Sequence, residues 1–280
     1  MHLLGRSRIR LRRAVTSASS VPLAIMLAGL SVIAAPTAAQ GQIATDRPDF
    51  VESSLTVGSR TVQVESSVAY QRSGSAASRT AAWSTPTLVR WGLGGSWELR
   101  LETDGVVADA SARGLEGGDG FGDVALGAKW HAGGDGAGTP STAFLLHLDV
   151  PSGSRELRRE GHGVSLRGVL EWSFPQGLSA GVMPGVVSEV TGGERHVSGV
   201  LGGVVGKEVT DRTRVFVEMA FPRIAAPRHG GTDGQVNAGV AWLIGQDLQL
   251  DAAISVGVTR AAPDRGITLG LSRRIALPGS

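Results

Sequence analysis

Cysteine is absent from all 280 residues, so no disulfide supports the fold. Past the first 39 residues there is no run of eighteen apolar residues, which excludes a bundle of membrane-spanning helices. Glycine and proline together make about 19% of the chain, short of the roughly 25–30% that marks low complexity. The glycines sit inside alternating segments rather than in Gly/Ser tracts, which argues against disorder. No metal-spaced histidine pair occurs. No metal site and no cofactor is expected.

A surplus of positive charge is also missing once the chain is divided. The net charge is +2, but Arg6, Arg8, Arg10, Arg12 and Arg13 precede any acid, and the chain beyond residue 39 is net −3. Nucleic acid is therefore not an expected partner. The early arginines are followed by an almost wholly apolar stretch, residues 21–35, and then by Thr37-Ala38-Ala39 before Gln40. A basic head, an apolar middle and a small-residue tail describe a secretory signal peptide over 1–39.

What the chain does contain is a period of two. In residues 234–259, Val236, Ala238, Val240, Trp242 and Ile244 share one face, and Leu248, Leu250, Ala252, Ile254, Val256 and Val258 share another after a Gly-Gln-Asp joint. The intervening residues are polar or small. That is an antiparallel hairpin whose apolar face, roughly ten residues long, matches a tilted transmembrane strand. Twelve such segments are expected, at 61–71, 83–92, 96–106, 123–131, 142–150, 163–173, 177–187, 196–206, 213–221, 235–244, 248–258 and 266–275. In the third, Trp97, Leu99 and Leu101 oppose Glu98, Arg100 and Glu102.

Connections after the even segments are mostly short, and those after the odd ones mostly longer and richer in charge, Ser and Gly. An even strand number, both ends on the short-turn side and long loops opposite predict an all-β, antiparallel up-and-down barrel over residues 60–276, in a Gram-negative outer membrane. Residues 40–59 precede it, either free in the periplasm or folded into the lumen as a plug. That stretch carries Asp46, Arg47, Asp49 and Glu52, and Pro48 argues against a central strand. Trp91, Trp97, Trp130, Trp172 and Trp242 fall beside the short turns and predict an interfacial girdle, with Tyr70, Trp83 and Phe221 at the other level. The expected partners are the outer-membrane bilayer, the barrel-assembly machinery and a small-molecule solute. The last strand ends Leu271-Ser272-Arg273-Arg274-Ile275, without the terminal aromatic common in barrels.

The inward faces carry both charge signs: Arg90, Glu98, Arg100, Glu102, Lys129, Arg167, Glu171, Arg214 and Glu218, with Glu65, His147, Asp149 and Asp251. Such a set either forms an eyelet that selects solutes or fills a narrow lumen with ion pairs. Passive passage of small organic solutes is the function expected, with a closed structural or adhesive barrel as the alternative. His147 and Asp149 share a face, the geometry a barrel lipid hydrolase would need, but that face is the lumen. Gly117-Gly118-Asp119-Gly120-Phe121-Gly122-Asp123 approaches a calcium repeat with its last Asp displaced, and Gly203–Glu208 misses two positions of a phosphate loop.

Short motifs in order resemble one family. These are Thr45-Asp46-Arg47-Pro48-Asp49-Phe50-Val51-Glu52-Ser53, Gly58 with Gln63 and Glu65, residues 86–90 with Trp97-Glu98-Leu99-Arg100, and Gly120-Phe121-Gly122-Asp123 with Gly127 and Lys129. Val150-Pro151-Ser152-Gly153, Gln249-Leu250-Asp251, Gly257 and Gly270-Leu271-Ser272 follow. Over about residues 43–275 the chain is similar to outer-membrane transporters associated with the meta-pathway of phenol degradation. The resemblance implies an outer-membrane barrel and passage of small compounds, aromatic ones among them; the inward Arg90, Arg100, Lys129, Arg167 and Arg214 would supply positive potential for anionic ones.

Overall fold

A computed structural model of the chain describes residues 41–74, 80–109, 119–134 and 138–278. The expected signal peptide, and Gly117-Gly118 of the calcium-like stretch, lie outside the described residues. Twelve strands run antiparallel in chain order. They are β1 (Thr61–Ser73), β2 (Thr80–Ser84 and Thr87–Gly94), β3 (Trp97–Thr103 and Val106–Asp109), β4 (Gly120–Phe121 and Val124–Gly133), β5 (Ser141–Val150) and β6 (Gly163–Phe174). Then come β7 (Leu178–Thr191), β8 (Glu194–Thr210), β9 (Thr213–Ile224), β10 (Asp233–Leu243), β11 (Leu248–Gly257) and β12 (Arg265–Ala276). Each pairs with its sequence neighbour, and β12 pairs with β1 from Thr61↔Ala276 to Arg72↔Arg265, which closes the ring and leaves no edge.

Polarity is inverted relative to a water-soluble protein. In β1, Thr61, Gln63, Glu65 and Ser67 are buried inside while Val62 and Val64 are half exposed outside. In β5, Ala143, Leu145 and His147 point in, and Phe144, Leu146 and Leu148 are exposed. β3 and β9 keep the same phase: Glu98, Arg100, Phe216 and Glu218 are buried, and Leu99, Leu101, Val217 and Met219 are exposed. The period of two delivers this directly, because a slip by one residue would bring every charge to the lipid side.

β2, β3 and β4 are each interrupted at one point. Pro86 has no N–H to give a ladder, and around it Thr85 N–H donates to the carbonyls of Asp104 and Val106, while Gly122 N–H donates to Gly105. The connection after β7 departs from expectation. In place of a longer outer loop, β7 and β8 run on for 14 and 17 residues and meet at Gly192-Gly193. Both glycines hold positive φ, 63° and 75°, as a two-residue primed turn requires. The loop after β5 is fastened instead: the Asp123 carboxylate accepts N–H bonds from Ser152, Gly153 and Arg159, and Glu160 accepts one from Gly193.

Leu146 lies mid-strand and 53% exposed on the outer wall. Leu146→Arg is expected to cost about 2–4 kcal/mol, read as a lower urea midpoint for unfolding from vesicles. An unchanged midpoint would show that this face does not contact hydrocarbon.

Candidate functional site

Residues 42–59 lie inside the ring. An extended segment without a ladder partner must place its amides and carbonyls elsewhere. Here the wall's charged side chains take that role. Glu65 accepts the N–H of Asp46 at 3.0 Å, and Glu218 those of Phe50 and Val51 at 2.9 and 2.7 Å. Glu171 accepts from Ser54, and Glu98 from Val57 at 2.8 Å. The carbonyls are met by donors: Arg90 reaches Ala44 and Leu55, Lys129 reaches Ser53, and Gln249 reaches Arg47. At the turn end, Ile43 N–H donates to Gln246 of the β10–β11 connection.

Asp46 is the centre of the charge network. Its carboxylate receives Arg100 at 2.6 Å and Lys129 at 2.9 Å, with Arg90 at 3.4 Å. Burial alone would raise its pKa, but Arg90, Lys129 and Arg100 outweigh burial and hold the group well below the usual carboxylate range. Glu52 receives Arg100 at 2.7 Å and Arg167 at 3.0 Å. Arg100 also meets Glu98 and Glu102 of its own strand at 2.8 and 3.0 Å, so four carboxylates surround one guanidinium. Asp49 faces Arg214 through two bonds, of 3.1 and 2.7 Å. There burial wins over Arg214, and the Asp49 carboxyl is pushed up.

Of the inward charges named from sequence, Arg90, Glu98, Arg100, Lys129 and Glu218 are buried and joined to the segment. Glu102 lies 2.9 Å from His147 rather than leaving it to Asp149. Arg167 and Arg214 keep 24% and 31% of their side-chain surface exposed. Asp46, Arg47, Asp49 and Glu52 all stand in the lumen, Arg47 at 3.9 Å from Asp251. Sequence reasoning missed the apolar half of the contact, where Val51 packs with Leu145, Met183, Val204 and Phe216. Gly202 is its trace in the sequence: a Cβ there would sit 2.6 Å from Val51 and 3.0 Å from the Phe50 ring. Outside, Trp91, Trp97, Trp130 and Trp242 are exposed and Trp172 is half-buried; Trp97 stacks on Trp130, and Trp130 on Phe144, at 5.9 Å each.

Two cavities flank the segment. One, of about 530 Å³, lies toward the long loops and is lined by Arg100, Glu102, Asp104, Arg159 and Arg167. The other, of about 490 Å³, lies toward the short turns and is lined by Gln42, Glu171, Glu208, Arg212 and Arg214. Arg47 and Asp49 border both. Among the described residues no cluster of three metal-ligating side chains occurs.

Asp46→Asn leaves three buried cations short of a partner, and about 3–5 kcal/mol of stability should be lost in urea unfolding from vesicles. The pH dependences of the two aspartates oppose each other. Asp46, with its lowered pKa, contributes in full above the ordinary carboxylate range and loses that contribution progressively as pH falls from there toward its own lowered value. Asp49, with a raised pKa, favours the folded state more as pH falls through that raised value. The stability difference between wild type and Asp49→Asn should therefore shift toward wild type from pH 7 to pH 4; a shift the other way would show that Arg214 dominates.

Comparison with known proteins agrees with this architecture. No curated protein matches the chain. Among solved structures, the COG4313 outer membrane channel from Pseudomonas putida F1 superposes with a TM-score of 0.60 at 13% identity, over 81% of this chain and 99% of that one. The beta domain of the Bordetella autotransporter BrkA gives 0.51 at 15% identity, over 76% and 99%. The KdgM porin in complex with disordered oligogalacturonate gives 0.50 at 9%, over 76% and 98%. At such identities the likeness is one of fold, an outer-membrane β-barrel. The family described as "Putative MetA-pathway of phenol degradation" matches residues 45–275, nearly everything after the N-terminal stretch, and the chain belongs to that family.

Proposed function

We propose that this barrel passes small organic solutes across the outer membrane by diffusion through its lumen, and that residues 42–57 set the width of the path. The observation that carries the reading is the pair of cavities, one toward each end, that share Arg47 and Asp49 of the segment as lining. Arg167 stands in one cavity and Arg214 in the other, and both are partly exposed. These two cations offer contacts to an anionic solute among the carboxylates that also line both cavities, and the family's link to phenol degradation points to aromatic acids and phenols among the solutes. The Pseudomonas barrel of the same fold is itself an outer membrane channel. A non-enzymatic role is supported by His147, which faces the lumen against Glu102 and away from any lipid substrate. Residues 1–39 are proposed as the export signal, the five tryptophans as the periplasmic girdle, and the assembly machinery as a partner in biogenesis.

The test is conductance of residues 40–280 in a planar lipid bilayer, with and without residues 43–54. Small discrete steps are expected from the intact chain, and steps several times larger from the deletion. If both are silent, with folding confirmed by a heat-sensitive gel shift, the lumen is not the path.

A further inference from the structure

The outer wall carries a pair of arginines that the lumen does not use. In the closing ladder Arg72 of β1 lies directly opposite Arg265 of β12. Arg72 shares the outward phase of Val68 and Tyr70, and Arg265 that of Ile267 and Leu269. Like charges facing each other across a ladder repel and weaken the pairing. Neither guanidinium has a carboxylate partner among the described residues, and Asp264, the adjoining acid, is exposed and ion-pairs with neither. Two other cations on this side are engaged: Arg159 with Glu189, and Arg195 with Ser188 and the His162 carbonyl. Among the described residues nothing compensates the repulsion at this closing seam.

The neighbouring rows place the pair relative to the bilayer. Two residues down each strand, about 7 Å nearer the hydrocarbon, Trp83, Tyr70, Ile267 and Ile254 form a continuous row across four strands. The Trp83 and Tyr70 rings lie 4.8 Å apart, and Trp83, Ile267 and Ile254 are 43%, 45% and 58% exposed. An aromatic and aliphatic row of this kind belongs at the interface. The arginines therefore sit at headgroup height, on the side of the long loops, which in an outer-membrane barrel is the outer leaflet. Exposed Arg260, in the turn between β11 and β12, lies on the same side.

We propose that Arg72 and Arg265 form a binding site for a phosphate monoester on the headgroup of an outer-leaflet glycolipid. Two planar guanidinium forks carried on directly paired residues can share the several acceptor oxygens of one phosphate, and its negative charge offsets the repulsion across the ladder. The acyl chains of the same lipid would lie along the Tyr70–Ile267 row beneath. The inference rests on outer-membrane placement and is independent of what crosses the lumen.

The experiment titrates the folded barrel in detergent with lipid A and with lipid A stripped of its phosphates, reading bound lipid by native mass spectrometry. Wild type should prefer the phosphorylated form by about thirtyfold, the preference expected of two arginines at a membrane surface. Arg72→Gln with Arg265→Gln should abolish the preference, and Arg155→Gln, in an outer loop, should keep it. Should the double variant fail the heat-shift test of folding, Arg265→Gln is read against Arg265→Lys, which retains charge and most of the preference. Equal binding of the two lipids by wild type, or a preference that survives both Arg265 substitutions, overturns the site. Competition by inorganic phosphate at concentrations equal to the lipid's overturns the lipid as its occupant. Conductance measured on the same samples keeps this outcome separate from that of the channel.

Discussion

Everything inside this barrel depends on one requirement: an extended strand of backbone without a ladder must have its amides and carbonyls satisfied. Residues 42–57 carry such a backbone through the middle of the ring. The wall answers with carboxylates for the N–H groups and with arginine, lysine and amide donors for the carbonyls. Glu65, Glu98, Glu171 and Glu218 come from four different strands, and each accepts at least one backbone amide of the segment. The lumen charges act together as the missing neighbouring strand.

The dependence is mutual. A fully buried ion loses several kcal/mol of hydration and is tolerated only when its partners are close and its remaining sites are filled. Arg90 and Lys129 have no exposed surface, yet each donates both to carboxylates and to segment carbonyls. Without the segment these cations would face only Glu65, Glu98 and each other. Asp46, contributed by the segment itself, brings Arg90, Arg100 and Lys129 to a single anion. The mixed signs on the inner wall are therefore a receptor for one particular stretch of chain, and the inner charges that keep some exposed surface, Arg167, Arg214 and Glu102 among them, lie at its margins.

The division between what the sequence reveals and what it hides follows from range. Strand existence, facing and order are legible because a period of two is local: Glu98, Arg100 and Glu102 declare their common face within five residues. The ring closure follows from strand number and turn length. The bond from Asp46 to Arg100 spans 54 residues, and that from Glu218 to Val51 spans 167, and no local pattern encodes either. The choice between an open eyelet and a packed lumen is unresolvable from sequence for that reason, since both need the same residues at the same phase. The loop expected after β7 fails for a smaller reason. Gly192-Gly193 signals a primed turn, but the charged residues around it, Glu189, Glu194 and Arg195, resemble a loop unless the alternation is followed through them.

The hold on the segment is uneven around the ring. On the β1–β4 side, Asp46 is clasped by three cations and Val57 by Glu98. On the β6–β9 side, Glu52, Asp49 and Val51 are held by Arg167, Arg214 and Glu218. Toward β10–β12 the contacts thin out. Arg47 stands 3.9 Å from Asp251, whose two buried oxygens accept no hydrogen bond. A further cavity of about 140 Å³ lies there, between Pro48, Asp49 and Phe50 and the wall residues Asn237, Ala253 and Ser255. A displacement of residues 47–50 into that space would leave the Asp46 cluster intact but give up the Asp49–Arg214 pair, the Phe50 N–H bond to Glu218 and the Gln249 bond to the Arg47 carbonyl. Asp49, which borders this space, and Arg47 are also the segment residues common to the linings of both large cavities. The strongest contact in the lumen is thus an anchor on the β1–β4 side, and the loosest packing of the segment lies toward β10–β12.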